Sequence, residues 1–288
     1  ESIRRLAPPL CWGCDIHNPD NHIRNQRNNW SNEMNALLES TALNKSYRID
    51  AQNEHQVLHD VSLRIHAGEF VSVMGPSGSG KSTLLYNLCG MDRMSSGSVR
   101  FKDHALQELS EPQLARVRLE EMGFVFQQIH LLRNLSIRDN VLLSGYLRNG
   151  RPRRTVETRA EELLRRTGIA DLADRSTTQA SGGQLQRVGI CRALINEPEI
   201  IFGDEPTGAL NSKASEEIMD LLTEVNRAGT TILLVTHDVR VAARTHRVLL
   251  MKDGRLVSET VLGPLSDDGN ELSQREAVLM SWLRENEV

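Results

Sequence analysis

No stretch of this chain constrains it more than Gly75-Pro-Ser-Gly-Ser-Gly-Lys-Ser82. It stands between a buried apolar run, Phe70-Val-Ser-Val-Met74, and a helical pattern, Thr83-Leu-Leu-Tyr-Asn-Leu88. A strand, a glycine-rich turn and a helix in that order fit G-x-x-x-x-G-K-[ST], whose backbone N–H groups turn inward around phosphate oxygens. Those amides and the helix N-terminus supply partial positive charge, Lys81 adds a full charge near the β- and γ-phosphates, and the Ser82 hydroxyl can ligate Mg²⁺. The candidate nucleotide contacts are therefore Gly75, Pro76, Ser77, Gly78, Ser79, Gly80, Lys81, Ser82 and Thr83. A glycine turn without a ligand is the competing reading, and the flanking strand and helix count against it.

A second constellation narrows the chemistry. Ile200-Ile-Phe-Gly-Asp204-Glu205 is an apolar strand ending in two carboxylates. A strand end beside the phosphate loop puts Asp204 on the Mg²⁺ shell and leaves Glu205 where a water could attack the γ-phosphate. An acidic pair at a strand end is commonly solvated surface, so the pair gains its meaning from the loop.

Around these motifs the pattern alternates between strands and helices. From Asn44 to Phe101 short strands dominate, with Val61-Ser-Leu-Arg-Ile65 alternating apolar and polar, so two sheets are expected to meet there. Helical patterns cover Glu111 to Glu121, Ile137 to Leu147 and Thr155 to Thr167, with Gly123-Phe-Val-Phe126 among them, and this portion reads as a helical insert. After Ser181 the βα alternation resumes, with Ile200 to Phe202 and Thr231 to Val235 as parallel strands separated by a helix from Lys213 to Arg227. Leu272, Val278, Leu279 and Leu283 give the tail helical spacing. The expected division is a disordered leader over 1–33, a nucleotide-binding domain over 34–265 with its insert at about 111–180, and a helical tail over 266–288. Within the leader, Cys11, Cys14, His17 and His22 have the residue types of a zinc site, but one C-x-x-C without a second pair favours no metal.

Composition removes other classes. Thirty-four Lys and Arg against 38 Asp and Glu give a net charge of -4, which offers no strongly basic surface, so no nucleic-acid partner is expected. Apolar runs such as Val248-Leu-Leu-Met251 fall far short of the roughly 20 residues of a membrane helix, so any membrane link must come through a partner. Cys89 and Cys191 lie in helical patterns, as buried free thiols of a reducing compartment do.

One further stretch brings in a family. Ala180-Ser-Gly-Gly-Gln-Leu-Gln-Arg187, just upstream of the acidic strand, resembles the signature motif of ATP-binding-cassette ATPases. Gln127 after Gly123-Phe-Val-Phe126 resembles that family's glutamine loop, Gly208-Ala-Leu-Asn211 its inter-subunit loop, His237 its switch histidine, and Tyr47 the aromatic that stacks on adenine. The resemblance runs from about Leu43 to Glu259. It implies an α/β fold: a phosphate-loop, RecA-like ATPase core with an antiparallel β subdomain and a helical insert subdomain carrying the signature. It also implies two copies facing head to tail, ATP on one phosphate loop being completed by Ser181, Gly182, Gly183 and Gln184 of the other copy. By the same resemblance Ser82, Gln127 and Asp204 organise Mg²⁺, while Glu205, His237 and Gln127 serve hydrolysis. The remaining partner would be a multispanning permease that holds the chain at the cytoplasmic face of the membrane.

Two residues depart from the family pattern. Ala180 replaces the commoner Leu, on the packing side, and Asn211 replaces the usual Asp, which removes a charge from a loop thought to sense the opposite site. Met91-Asp-Arg93, Phe126-Gln-Gln-Ile-His-Leu-Leu132 and Asp204-Glu-Pro-Thr-Gly-Ala209 look like the branch serving lipoprotein release, macrolide efflux and bacitracin-type peptide-antibiotic resistance, which points to export of antimicrobial peptides or related amphipathic molecules. The alternative is a soluble cassette that works without a permease. Such relatives usually carry two cassettes or a long coiled-coil insertion, whereas this chain has one phosphate loop and a short insert. A phosphate-loop kinase would leave Ala180 to Arg187 unexplained.

Overall fold

Runs of five or six apolar residues are too short for helices and become strands buried on both faces. The computed structural model describes residues 36–50, 53–266 and 271–287. The expectations for residues 1–33, including Cys11, Cys14, His17 and His22, lie outside the described residues.

In chain order the strands and helices are β1 (Leu38–Arg48), β2 (Glu54–Ile65), β3 (Phe70–Met74), α1 (Lys81–Leu88), β4 (Ser96–Phe101), β5 (His104–Ala105), α2 (Glu111–Glu121), β6 (Met122–Phe126), α3 (Ile137–Leu147), α4 (Arg153–Arg166), α5 (Gly182–Leu194), β7 (Ile200–Asp204), α6 (Ser212–Arg227), β8 (Thr231–Val235), α7 (Val239–Ala242), β9 (Arg247–Lys252), β10 (Arg255–Val261) and α8 (Glu271–Glu285). They form two sheets. One has the order β2-β1-β4-β5 and is antiparallel. The other has the order β10-β9-β3-β8-β7-β6, parallel except for β10 at its edge.

Successive residues of a strand point to opposite faces, and the main sheet uses both. Ile201, Ile232 and Leu234 join Ile190 of α5 and Ile218 of α6 in one buried cluster. Their neighbours Phe202, Leu233 and Val235 join Leu84 and Leu88 of α1, and Leu43 and Val61 of the antiparallel sheet, in another. The phosphate-loop helix is thus clamped between the two sheets. A third cluster seats Leu279 and Leu283 of α8 on Ala242, Ala243, Val248 and Leu250, so the tail packs on its own domain. Each of those leucines contributes about 1.5–3 kcal/mol by leaving water.

Two expectations need correction. β1 begins at Leu38 and not near Asn44, because register shifts after Ser40, Leu43 and Lys45 break the alternation by which a strand is recognised. The insert expected over about 111–180 also contains a core strand: β6 pairs with β7 from Met122↔Ile200 to Phe126↔Asp204. A five-residue run between two helical patterns carries no periodicity to separate it from them. The helices of the insert therefore follow Phe126, where α3, α4 and α5 pack through Val141, Val156, Leu163 and Val188. No helix among the described residues is long and apolar enough to cross a membrane. Cys89 and Cys191 are buried and free as expected, and burial pushes their thiols up to about 12 and about 11.

Candidate functional site: the phosphate loop and the strand ends around it

The end of β3 delivers the chain into a loop that tolerates no side chain at its first position. A Cβ on Gly75 would lie 2.0 Å from the Met251 carbonyl oxygen. At the other end Gly80, with φ +98°, precedes α1 without a capping side chain. The amides of a first helical turn have no intrahelical acceptor, and the first such bond here is Leu84 N–H to the Gly80 oxygen at 2.8 Å. Unoccupied donors thus face the loop. The Ser79 hydroxyl is also buried there without a protein partner. Lys81 is 9% exposed, and its ammonium donates to the carbonyls of Gly75 at 2.8 Å and Pro76 at 2.9 Å. Burial lowers its pKa while Glu205 and Asp204 oppose the shift.

Three strand ends converge on this loop. Asp204, at the end of β7, accepts hydrogen bonds from Ser82 Oγ on Oδ1 at 2.8 Å and from the Tyr86 hydroxyl on Oδ2 at 2.5 Å. Burial, and then the bond to Asp204, raises the Tyr86 phenol far above its usual range, so it remains a donor. A hydroxyl and a carboxylate 2.8 Å apart beside a polyphosphate cradle are the hard oxygen donors Mg²⁺ prefers, so these residues fit that ion. Glu205 follows in a left-handed conformation, φ +48°, which costs a β-unbranched residue about 1 kcal/mol. Its N–H donates to Val235 O at 3.1 Å and its own carbonyl accepts from Gly208 N–H at 3.0 Å, which fixes the turn. Glu205 Oε1 then lies 2.9 Å from His237 Nδ1, beyond the end of β8. Lys81, Ser82, Thr83, Glu205 and His237 line one cavity of about 330 Å³.

The other expected residues fall into three groups. Gln127 is tied to the site by its backbone, its N–H donating to Asp204 O at 2.8 Å, while its side chain lies against Gly208. Tyr47 is half-exposed beside the loop, with its hydroxyl on Asp92 Oδ2 at 2.6 Å and Lys45 Nζ 4.6 Å above its ring. Burial raises its phenol pKa and a bond with Thr83 tempers the rise. Ser181 to Gln184 are elsewhere. Ser181 caps α5 in a capping box, its Oγ accepting from Gln184 N–H at 3.3 Å and its own N–H donating to Gln184 Oε1 at 2.8 Å. With Gly182, Gly183 and Asn211 they line a separate opening of about 450 Å³. Asn211 Oδ1 caps α6 by accepting from Ala214 N–H at 2.9 Å, and Ala180 packs against the core, on the side its replacement implied.

Tyr86 is the site residue that sequence reasoning missed. The signal was present: Tyr86 stands four residues after Ser82 on one helix, so both side chains share a face.

A loop lysine, a helix hydroxyl and a carboxylate pair at the end of β7, assembled around free backbone amides, define a phosphate-loop nucleotide-binding protein. The chain belongs to the ABC transporter family, whose sequence profile matches residues 58–208. It is 43% identical to the uncharacterized ABC transporter ATP-binding protein YknY of Bacillus subtilis over 77% of this chain and 95% of that protein. It is 46% identical to the pyoverdine export ATP-binding/permease protein PvdT of Pseudomonas aeruginosa over 78% of this chain and 34% of that one. The chain thus spans about a third of the length of such export proteins. Among solved structures it is similar to the dimeric ATP-binding cassette MJ0796 bound to ADP and Pi, with 38% identity and a TM-score of 0.73 over 79% of this chain and 100% of that one. The fold expected from the resemblance is the fold observed.

Proposed function

We propose that this chain binds Mg²⁺-ATP on the phosphate loop and hydrolyses it to ADP and phosphate, in a head-to-tail pair of copies that drives a separate permease at the cytoplasmic face of a membrane. The observation that carries the reading is the Glu205–His237 pair in the same cavity as Lys81 and Ser82. The loop amides and Lys81 hold the triphosphate, exchanging the two carbonyls that now accept from Lys81 for phosphate oxygens. Ser82 and Asp204 hold Mg²⁺, with Gln127 reaching them from its own strand end; the ion supplies charge neutralisation on the phosphates. Glu205 orients water for attack on the γ-phosphorus and accepts its proton as the bond to the bridging oxygen breaks. His237, released from Glu205, turns to the γ-phosphate. Tyr47 stacks adenine on the ring face opposite Lys45. Ser181, Gly182, Gly183 and Gln184 of the second copy close over the nucleotide, and the closed and open states are what the permease reads.

Macrolide and pyoverdine export appear in the names of similar proteins, which supports export of amphipathic molecules as the use of this work. The test is Glu205→Gln. Hydrolysis should fall by at least ~10²-fold, as for a lost general base, while ATP still binds. Gel filtration should show a dimer with Mg²⁺-ATP and not with Mg²⁺-ADP. Rapid turnover by this variant would show that another residue handles the water.

A further inference from the structure

The Asp204 carboxylate is gripped at both oxygens by one helix. Ser82 Oγ holds Oδ1 and the Tyr86 hydroxyl holds Oδ2, and the two donors stand one turn apart on α1. The pair is not symmetric in what it can do. Ser82 belongs to the phosphate loop: its proton goes to Asp204 while its lone pairs remain for a cation, so its position is set by whatever the loop binds. Tyr86 lies a turn farther from the loop and has no such dependence.

Tyr86 is itself fixed at both ends. Its carbonyl accepts from Met91 N–H at 2.9 Å and Asp92 N–H at 3.0 Å, which closes the end of α1. Its ring packs against the buried cluster containing Phe202 and Val235. The same Asp92 accepts from the Tyr47 hydroxyl and from Lys45 Nζ, both at 2.6 Å, so the turn that seats Tyr86 is held from the adenine side as well. A phenol anchored in this way cannot follow a rotating carboxylate. It must instead hold the carboxylate still.

We infer that Tyr86 is a positioning residue for the cation: its hydroxyl, held from outside the loop, keeps Asp204 oriented toward the Ser82 oxygen that would share Mg²⁺ with it. The inference rests on the reading of Asp204 as the carboxylate of the Mg²⁺ site. Without the phenol, Asp204 keeps only the Ser82 donor, on the loop that itself rearranges around the ligand, and nothing outside the loop sets its rotamer. The site then pays an ordering cost on binding the ion.

Tyr86→Phe tests this while keeping the ring that packs in the core. Mn²⁺, followed by electron paramagnetic resonance in the ATP-loaded protein, is the probe. The variant should bind Mn²⁺ about 10-fold more weakly, the effect of one hydrogen bond to a charged group. Metal-free ATP affinity and melting temperature should match the wild type, and hydrolysis should need about 10-fold more Mg²⁺ with kcat largely recovered at saturation. In an Asp204→Asn background Tyr86→Phe should add no further loss, since it acts through that carboxylate. Unchanged Mn²⁺ affinity in Tyr86→Phe, with Asp204→Asn weakened, would overturn the inference and leave the metal role of Asp204 standing. Unchanged affinity in Asp204→Asn would overturn both. Equal losses of Mn²⁺ affinity, metal-free ATP affinity and melting temperature would reduce Tyr86 to a packing residue.

Discussion

The cavity at the phosphate loop and the opening beside Ser181 are built from opposite materials. The first gathers charge: Lys81, Glu205 and His237 surround about 330 Å³, and Asp204 is wired to Ser82 behind it. The second, about 450 Å³, is walled by a capped helix start, Gly182 and Gly183, and Asn211, with Arg187 engaged by Glu217 at 2.8 Å. The first has what cleavage needs but is uncovered, since the His237 side chain is 71% exposed even while paired to Glu205. The second has backbone donors at a helix N-terminus, and the carboxylate in its lining, Glu217, is tied to Arg187. Each supplies what the other lacks, which is the physical case for a site made of two copies.

Removing the cation from the charged side should break the comparison most severely. On the proposed reading Lys81→Ala deletes a full positive charge that would meet the β- and γ-phosphates, and should cost several kcal/mol in the transition state, about 10³-fold in turnover or more. Lys81 bonds two loop carbonyls in this structure, so circular dichroism must show that the variant stays folded. Turnover within about two-fold of wild type would defeat the assignment.

Placing a charge on the other side should separate binding from cleavage. A Cβ on Gly183 would sit 3.2 Å from Ala214 Cβ, close enough to need a small shift of α6 but no rearrangement. Gly183→Asp should therefore keep its fold and its ATP affinity as a single chain. Hydrolysis and Mg²⁺-ATP-dependent dimerisation should be lost, because the carboxylate faces a γ-phosphate across the interface. Equilibrium binding beside a steady-state ATPase assay reads both. A parallel loss of ATP affinity would place the signature in the same chain's site.

What could be read in advance divides along the same line. The phosphate loop and Asp204-Glu205 are local: a few consecutive residues carry the chemistry, and their flanking strands announce where they lie. The left-handed turn at Glu205 could not be read, because it depends on the Val235 carbonyl accepting from Glu205 N–H across the sheet. β1 was placed late because its bulges erase the period of two, and β6 was counted with the insert because five apolar residues have no period to show. The helical pattern that contains Tyr86 shows which face it shares with Ser82 but not its partner, which lies 118 residues away and is brought to it by the fold.

The smallest effect is expected at Asn211. Asn and Asp cap helices about equally, so Asn211→Asp should leave the unfolding free energy within about 0.5 kcal/mol of wild type. The restored charge would act across the interface. It should therefore alter the cooperativity of ATP hydrolysis and not the ATP affinity of the single chain. A large loss of stability would show that Asn211 has a packing role beyond its bond to Ala214.

Mixing two dead variants tests the shared site most directly. Lys81→Ala and Gly183→Asp should each be inactive alone. In a mixed pair, Lys81 of the Gly183→Asp chain faces Gly183 of the Lys81→Ala chain, which rebuilds one intact site and leaves one doubly broken. An equimolar mixture should recover about a quarter of wild-type ATPase activity where chains pair at random, rising to about half where only mixed pairs form, since each mixed pair has one of two sites. A mixture no more active than either variant alone, with both chains folded and Gly183→Asp still binding ATP, would contradict a site divided between two copies.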